Sequence, residues 1–496
     1  MNETNNFLIQ NQINKCIELL EKENFSEAIK FINTLKKEKK TKNIGLFLNG
    51  IFHIKQKEET EAKKYFNRIL ENEINHLEAN LNLGLIFYNE KKYERAEFYF
   101  NKVIKINYNQ LDAHYHKALI FFYEKNYENS IKSLNICKEI DSNFHSIYLV
   151  YGHIYREKKE FKKAIDHYKK FLKINPNDNI SKFNLSWCYF ATLDLENAFR
   201  FYEFRKEKTI PKKKTIEVKN KFNPTEWNGE NINNKKILII SEQGIGDTIQ
   251  FFRYLYSIKE YYKSEIIFYT DKNLKYLFKD VPFKIVSDLN NIANVDYYQN
   301  LLSLPGIFFK KDNKIQKCIN YINIDKINNQ KWKNKLSEYR KPIIALTWQG
   351  SQNYLYDSQR SIKLSNFKKI IKNKKFKFIA LQKGYGSDQI AKFGFSDLIA
   401  DLSSEIDLKD NSFEDTIHIL NNINLLITAD TSIAHLAGTL NIKTLLMLSY
   451  NPDWRWYLET EKYVFYPSVK IVQQDNLNNW NNVIKNIEDE LHEIQV

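Results

Sequence analysis

The stretch LEANLNLGLIFYNEKKYERAEFYFNKVIKIN, Leu77 to Asn107, holds a glycine at 84, an alanine at 96 and a phenylalanine at 100. Each has counterparts 34 residues away in both directions. Gly84 belongs to a series with Gly50, Ala118, Gly152 and Ser186. Ala96 belongs with Ala28, Ala62, Ser130, Ala164 and Ala198, and Phe100 with Phe66, Leu134, Tyr168 and Tyr202. A small residue in each helix of a pair lets the partner approach, and a bulky one a turn after the second small position fills the gap. Three in-register series at one period predict stacked helical hairpins.

A period of 34 is that of the tetratricopeptide repeat (TPR). Residues 77–107 resemble a TPR unit, as does IYLVYGHIYREKKEFKKAIDHYKKFLKINP ending at Pro176. The periodicity predicts a TPR α-solenoid over residues 1–205, with about six units and degenerate ends. Its concave face is expected to hold a protein partner, the alternative being a rigid lid or spacer. His114, His153 and His167 fall inside the helices and read as packing residues, not ligands.

After Tyr202 the helical periodicity stops. Residues 206–230, with Pro211, the run Lys212-Lys213-Lys214 and Pro224, read as a basic linker. Beyond it, short apolar runs alternate with helical stretches, which predicts parallel sheets flanked by helices. Strands are expected at Lys236–Ile240, Glu265–Tyr269, Pro342–Thr347, Phe376–Leu381, Leu425–Thr428 and Thr444–Leu448. Two fresh starts, near 235 and 342, give two Rossmann-like lobes at 231–338 and 339–496. The fold class is therefore α + α/β.

Composition limits the reading further. The apolar fraction of 43% supports sizeable cores. The net charge of +15 is spread over lysines in nearly every segment, so it reads as a solvated surface and not as a nucleic-acid groove. Cys16, Cys137, Cys188 and Cys318 form no CxxC pair, which suits a reducing compartment and suggests no metal site. With no signal-peptide layout and no long apolar run, the expected location is the cytoplasm, and association with a membrane surface stays open.

Two strand ends hold the chemistry. The first is SEQGIGDTIQ, residues 241–250, where Gly244 and Gly246 allow close backbone approach and Asp247 opens a helix. Asp247 reads either as a cap or as a functional carboxylate. It lacks the lysine of a P-loop, and a dinucleotide fingerprint would need glycine at Ile249. Asp271, at the end of the next strand, keeps that alternative open. The second is LLITADTSIAHLAG, residues 425–438. There Asp430, Thr431, Ser432 and the free N–H groups of a helix start converge as an anion site suited to a diphosphate. His435, one turn on, reaches the same point or is a core histidine. Arg360 and Lys383 follow strand ends of the same lobe, where a leaving diphosphate needs positive charge. Trp454 and Trp456, around Arg455, either stack a sugar or anchor their loop.

EQGIGDTIQFFRYL, ALTWQG, RSI, LQKG and above all ITADTSIAHLAGTLNIKTLLML resemble glycosyltransferase family 9, the heptosyltransferases. YEFR at 202–205, Trp227 and PDWRWY with YPS resemble a subgroup of TPR-fused bacterial proteins carrying such a domain. The resemblance implies a GT-B pair of lobes, acceptor side first and nucleotide-sugar side second. It also implies inverting, metal-independent transfer from a nucleotide sugar to a protein or glycan acceptor, without a cofactor. It makes Asp247 the general base, gives Thr431, Ser432 and His435 the donor phosphates, and gives Asp430 the donor sugar. Arg360 falls where the family carries a lysine. The family's ribose-binding glutamate has no counterpart after Lys383, Asp388 being the nearest carboxylate. The alternative function is a non-catalytic TPR scaffold with a degenerate GT-B domain. A third reading is a dinucleotide enzyme using Gly244, Gly246 and Asp271.

Overall fold

The computed structural model describes all residues except 1, 38, 209–211, 318, 323–329, 340–341, 353–356, 409–412, 459, 461–464 and 495–496. Pro211 and Cys318 thus lie outside the described residues. Two compact units divide at residue 176.

The first unit, residues 1–176, is a run of antiparallel helical hairpins from Asn2–Glu21 to Phe161–Ile174. The repeating small and bulky residues meet across each hairpin. A methyl group built on Gly50, Gly84 or Gly152 would come within 2.5, 2.7 and 2.8 Å of the rings of Phe66, Phe100 and Tyr168. Glycine at these three positions leaves the space that the ring of the partner helix occupies. His114 is buried and its Nε2 lies 2.8 Å from the Tyr108 carbonyl, while His153 Nδ1 lies 2.7 Å from the Tyr168 hydroxyl. Both serve packing. A further 34-residue series emerges in the hairpin turns. Glu23, Lys57, Lys91, Lys125 and Lys159 all take the left-handed backbone region, φ between 56° and 64°.

The second unit, residues 177–496, opens with one more hairpin, Asn179–Ala191 and Leu195–Tyr202. Part of the stretch expected as a linker is a helix, Lys212–Phe222. Its lysines disguised it, yet Val218 is fully buried with Leu238, Ile240 and Ile267 under the first sheet.

That sheet comprises β1 (Thr225–Glu226), β2 (Lys236–Ile240), β3 (Glu265–Tyr269), β4 (Lys284–Val286) and β5 (Tyr297–Asn300), in the order β1-β5-β2-β3-β4. The second sheet comprises β6 (Ile343–Thr347), β7 (Lys377–Ala380), β8 (Ile399–Asp401), β9 (Leu425–Ala429), β10 (Thr444–Leu448) and β11 (Val469–Gln473), in the order β11-β10-β9-β6-β7-β8. All pairings are parallel. Strand order reverses between β2 and β5 in one sheet and between β6 and β9 in the other. Crevices of open parallel sheets lie at the carboxyl ends of such strand pairs, here at Ser241 beside Asn300 and at Trp348 beside Asp430.

Candidate functional site

β2 runs out through Ser241-Glu242-Gln243 into the helix Ile245–Phe251, and Gln243 turns the chain with φ 58°. β9 runs out through Asp430-Thr431 into the helix Ser432–Thr439. The two helix starts touch. A methyl group on Gly246 would sit 2.8 Å from His435 Cδ2 and 3.4 Å from Ser432 Cα, so glycine here is what permits the contact.

Asp247 uses both carboxylate oxygens. Oδ2 accepts the Gly244 N–H at 2.8 Å, closing the helix start, and Oδ1 pairs with Arg455 Nη2. The expected cap is made by one oxygen, and the other is held in an ion pair that the sequence did not signal. Arg455 comes from the loop after β10 and is buried. Its Nε donates to Asp453 Oδ1 at 2.8 Å, and its Nη1 lies 3.4 Å from His435 Nε2.

His435 is 2% exposed, stacked on Trp456 at 5.3 Å, with Nδ1 3.2 Å from the Tyr466 hydroxyl. Burial and the nearby charges of Arg455, Arg253 and Arg360 push its pKa well below the usual histidine value, so the ring is neutral. A guanidinium only donates. Nε2 is then the acceptor toward Arg455, and the single ring proton sits on Nδ1, facing Tyr466.

Asp430 is half-buried, and burial raises its pKa to about 6 against the opposing pull of Arg455 and Arg360. Arg360 Nη1 donates to the Asp430 carbonyl at 2.7 Å, and its Nε lies 3.0 Å from Asp357 Oδ1. Thr431 is the N-cap residue, with its hydroxyl oxygen buried and without a partner among the described residues. Asp247, Gly246, Asp430, Thr431, Ser432, His435 and Arg360 thus gather around two touching helix starts.

Lys383 makes its contacts elsewhere. Its Nζ donates to the carbonyls of Ile406 and Asp407 at 3.1 and 2.5 Å. Asp388 begins a short helix, Gln389–Lys392, beyond β7. Asp271 is paired with Lys214 at 2.8 Å. Trp454 and Trp456 are 2% and 4% exposed, which leaves neither ring face open for stacking on a ligand. Trp454 instead stacks on Phe190 at 4.1 Å and lies 5.9 Å from Phe251.

Two arginines escaped the sequence reading. Arg455 appeared only as a neighbour of tryptophans, and Arg205 only as part of YEFR. Arg205 is fully buried, and its Nη2 donates to Glu242 Oε1 at 2.6 Å and to Ser303 Oγ at 2.9 Å. It therefore packs where β2 and β5 run out, against residues that closely follow both strands.

Residues 77–110, 111–144 and 145–178 match the tetratricopeptide repeat family. No curated protein matches the chain. Among solved structures, the pilF protein of Pseudomonas aeruginosa is 13% identical, covering 40% of this chain and 90% of its own, with a TM-score of 0.37. A tetratricopeptide repeat protein of Parabacteroides merdae is 15% identical, covering 39% of this chain and 77% of its own, with a TM-score of 0.34. MamA of Desulfovibrio magneticus RS-1 is 18% identical, covering 34% of this chain and 96% of its own, with a TM-score of 0.31. The repeats of residues 77–178 are thus those of the tetratricopeptide repeat family, followed in the chain by a region of parallel sheets.

Proposed function

We propose that the chain is a metal-independent, inverting glycosyltransferase of GT-B type, resembling family 9. In this reading the TPR array recruits a protein or glycan acceptor, or a partner protein. The observation that supports it most is the close approach of Gly246, next to Asp247 in the helix after β2, to Ser432 and His435 in the helix after β9. A carboxylate from one sheet and free backbone N–H groups from the other then bear on one point. The nucleotide diphosphate would lie at Thr431, Ser432 and Arg360, with Asp430 toward the sugar.

In the reaction, Asp247 takes the proton of an acceptor hydroxyl. The acceptor oxygen forms a bond to the anomeric carbon from the face opposite the diphosphate. The bond from that carbon to the diphosphate breaks, and the electron pair leaves with the nucleotide. Among the described residues no helix is long and apolar enough to cross a membrane. We assign the activity to the cytoplasm, with the acceptor met there or at a membrane surface.

A second reading is a non-catalytic TPR scaffold, favoured by the matched repeats and by the engagement of both Asp247 oxygens. A thermal-shift panel of nucleotide sugars, followed by a transfer assay, separates the two. The transferase reading expects stabilisation by one nucleotide class, and it expects Asp247→Asn to bind that donor yet transfer no sugar. Silence across the whole panel would leave the scaffold standing alone.

A further inference from the structure

Arg455 is held in two different ways. Its root is fixed, since Nε and the backbone N–H both reach Asp453 Oδ1, at 2.8 and 3.3 Å. Its outer edge is held by the helix starts, Nη2 on Asp247 and Nη1 near His435 Nε2. Asp247 and Arg455 are both largely buried, with side chains 12% and 8% exposed.

The surrounding charges do not favour an anion as they stand. The carboxylates of Asp247, Asp430 and Asp453 face the guanidinium groups of Arg455 and Arg360, and Arg253 adds a third buried guanidinium near His435. Arg360 also pairs with Asp357, and His435 is neutral. A diphosphate arriving at the Thr431-Ser432 helix start therefore meets an excess of negative charge while Arg455 is occupied by two carboxylates. It can be held there if it takes over part of that guanidinium, a fork well matched to phosphate oxygens.

We propose that Arg455 is an exchangeable clamp. A diphosphate at the Ser432–Thr439 helix start takes its Nη edge from Asp247, while Asp453 keeps Nε. This deepens, and rests on, the transferase reading. The exchange is of ion pairs only and moves no proton. Its consequence is an order of events, because Asp247 Oδ1 becomes free to take a hydroxyl proton once the diphosphate is in place. Without that ligand, the base stays covered by its own arginine. The same exchange releases His435 Nε2 from Arg455.

The test is calorimetric titration of the full chain with inorganic pyrophosphate at fixed ionic strength. Wild type is compared with Arg455→Met, Asp247→Asn and the double variant. The clamp expects Arg455→Met to weaken binding at least tenfold. It expects Asp247→Asn to tighten binding about tenfold in the wild-type background and less than twofold in the Arg455→Met background. Equal tightening in both backgrounds would mean simple charge repulsion and would overturn the clamp. Binding that ignores Arg455→Met would overturn it too while sparing the anion site. Failure of both wild type and Asp247→Asn to bind would remove the anion site as well. Should Arg455→Met fail to fold, Arg455→Lys keeps the charge without the forked edge. The benefit of Asp247→Asn must then shrink in that background, and an undiminished benefit would overturn the clamp.

Discussion

Arg205 Nη2 donates to Glu242 Oε1 at 2.6 Å, with both side chains shut away from water. Glu242 Oε1 also accepts the Leu302 N–H at 2.9 Å, at the end of β5. Arg205 Nη1 reaches Glu203 Oε1 at 2.7 Å, and Glu203 in turn accepts from Ser303 Oγ. The segment that ends the last hairpin is thereby tied to both strands bounding the first crevice. Burying two charges is costly, but removing one partner costs more, since the other is left uncompensated.

Arg205→Met is therefore expected to destabilise residues 177–496 by about 3–5 kcal/mol. Adding Glu242→Gln should recover part of that loss, because the stranded carboxylate is gone. All seven tryptophans lie between 187 and 480, inside this unit, so urea unfolding followed by tryptophan fluorescence reads it selectively. Additive losses in the double variant would show that the two side chains are not acting as a pair.

The helical array offers a steric test. A methyl group on Gly84 would meet Phe100 Cε1 at 2.7 Å, so Gly84→Ala must push the ring or the helices apart. Overpacking of this kind costs about 1–3 kcal/mol. Phe100→Leu, which removes the ring from that spot, should make a second Gly84→Ala change nearly neutral. Thermal unfolding followed by far-UV circular dichroism measures both. A Gly84→Ala loss as large with leucine at 100 as with phenylalanine would refute the ring contact as its source.

These particulars show what a sequence can carry. The 34-residue period was legible because one steric requirement, a small residue beneath a large one, recurs at each hairpin. The left-handed turn positions obey the same period, but lysine holds them at 57, 91, 125 and 159, so no glycine signalled the turns. Strands β2, β3, β6, β7, β9 and β10 are legible to within two residues because they are largely continuous apolar runs. β1, β4 and β8 are only two or three residues long. β5, Tyr-Tyr-Gln-Asn, has no such run.

The candidate site divides in the same way. Asp247 and Asp430-Thr431-Ser432 stand where a strand turns into a helix, a feature written locally in glycines and hydroxyls. The pairing of Asp247 with Arg455 joins residues 208 positions apart. Neither partner carries a local mark of the other. Lys383 shows the converse, a cation after a strand end whose contacts are two loop carbonyls, apart from the helix starts.

Asp430 gives a pH-dependent test. Burial lifts its pKa from 3.8 to about 6, so the folded chain binds this proton more tightly than the unfolded chain does. Stability from this group is then fully present below about pH 4 and is lost as pH rises through 6, because above 6 the fold must hold an unfavourable charge. Asp430→Asn removes that charge. At pH 7.5 it should stabilise residues 177–496, by about 1 kcal/mol once the partial exposure of the side chain is allowed for. That corresponds to a gain in Tm of about 1–2 °C. The gain should shrink through pH 5 and vanish near pH 4, where the parent carboxyl is protonated in both states. Tryptophan-detected melts of parent and variant across pH 4–8 measure it. A constant offset between them over that range would mean that Asp430 does not titrate there, and the electrostatic picture of the helix start would have to be redrawn.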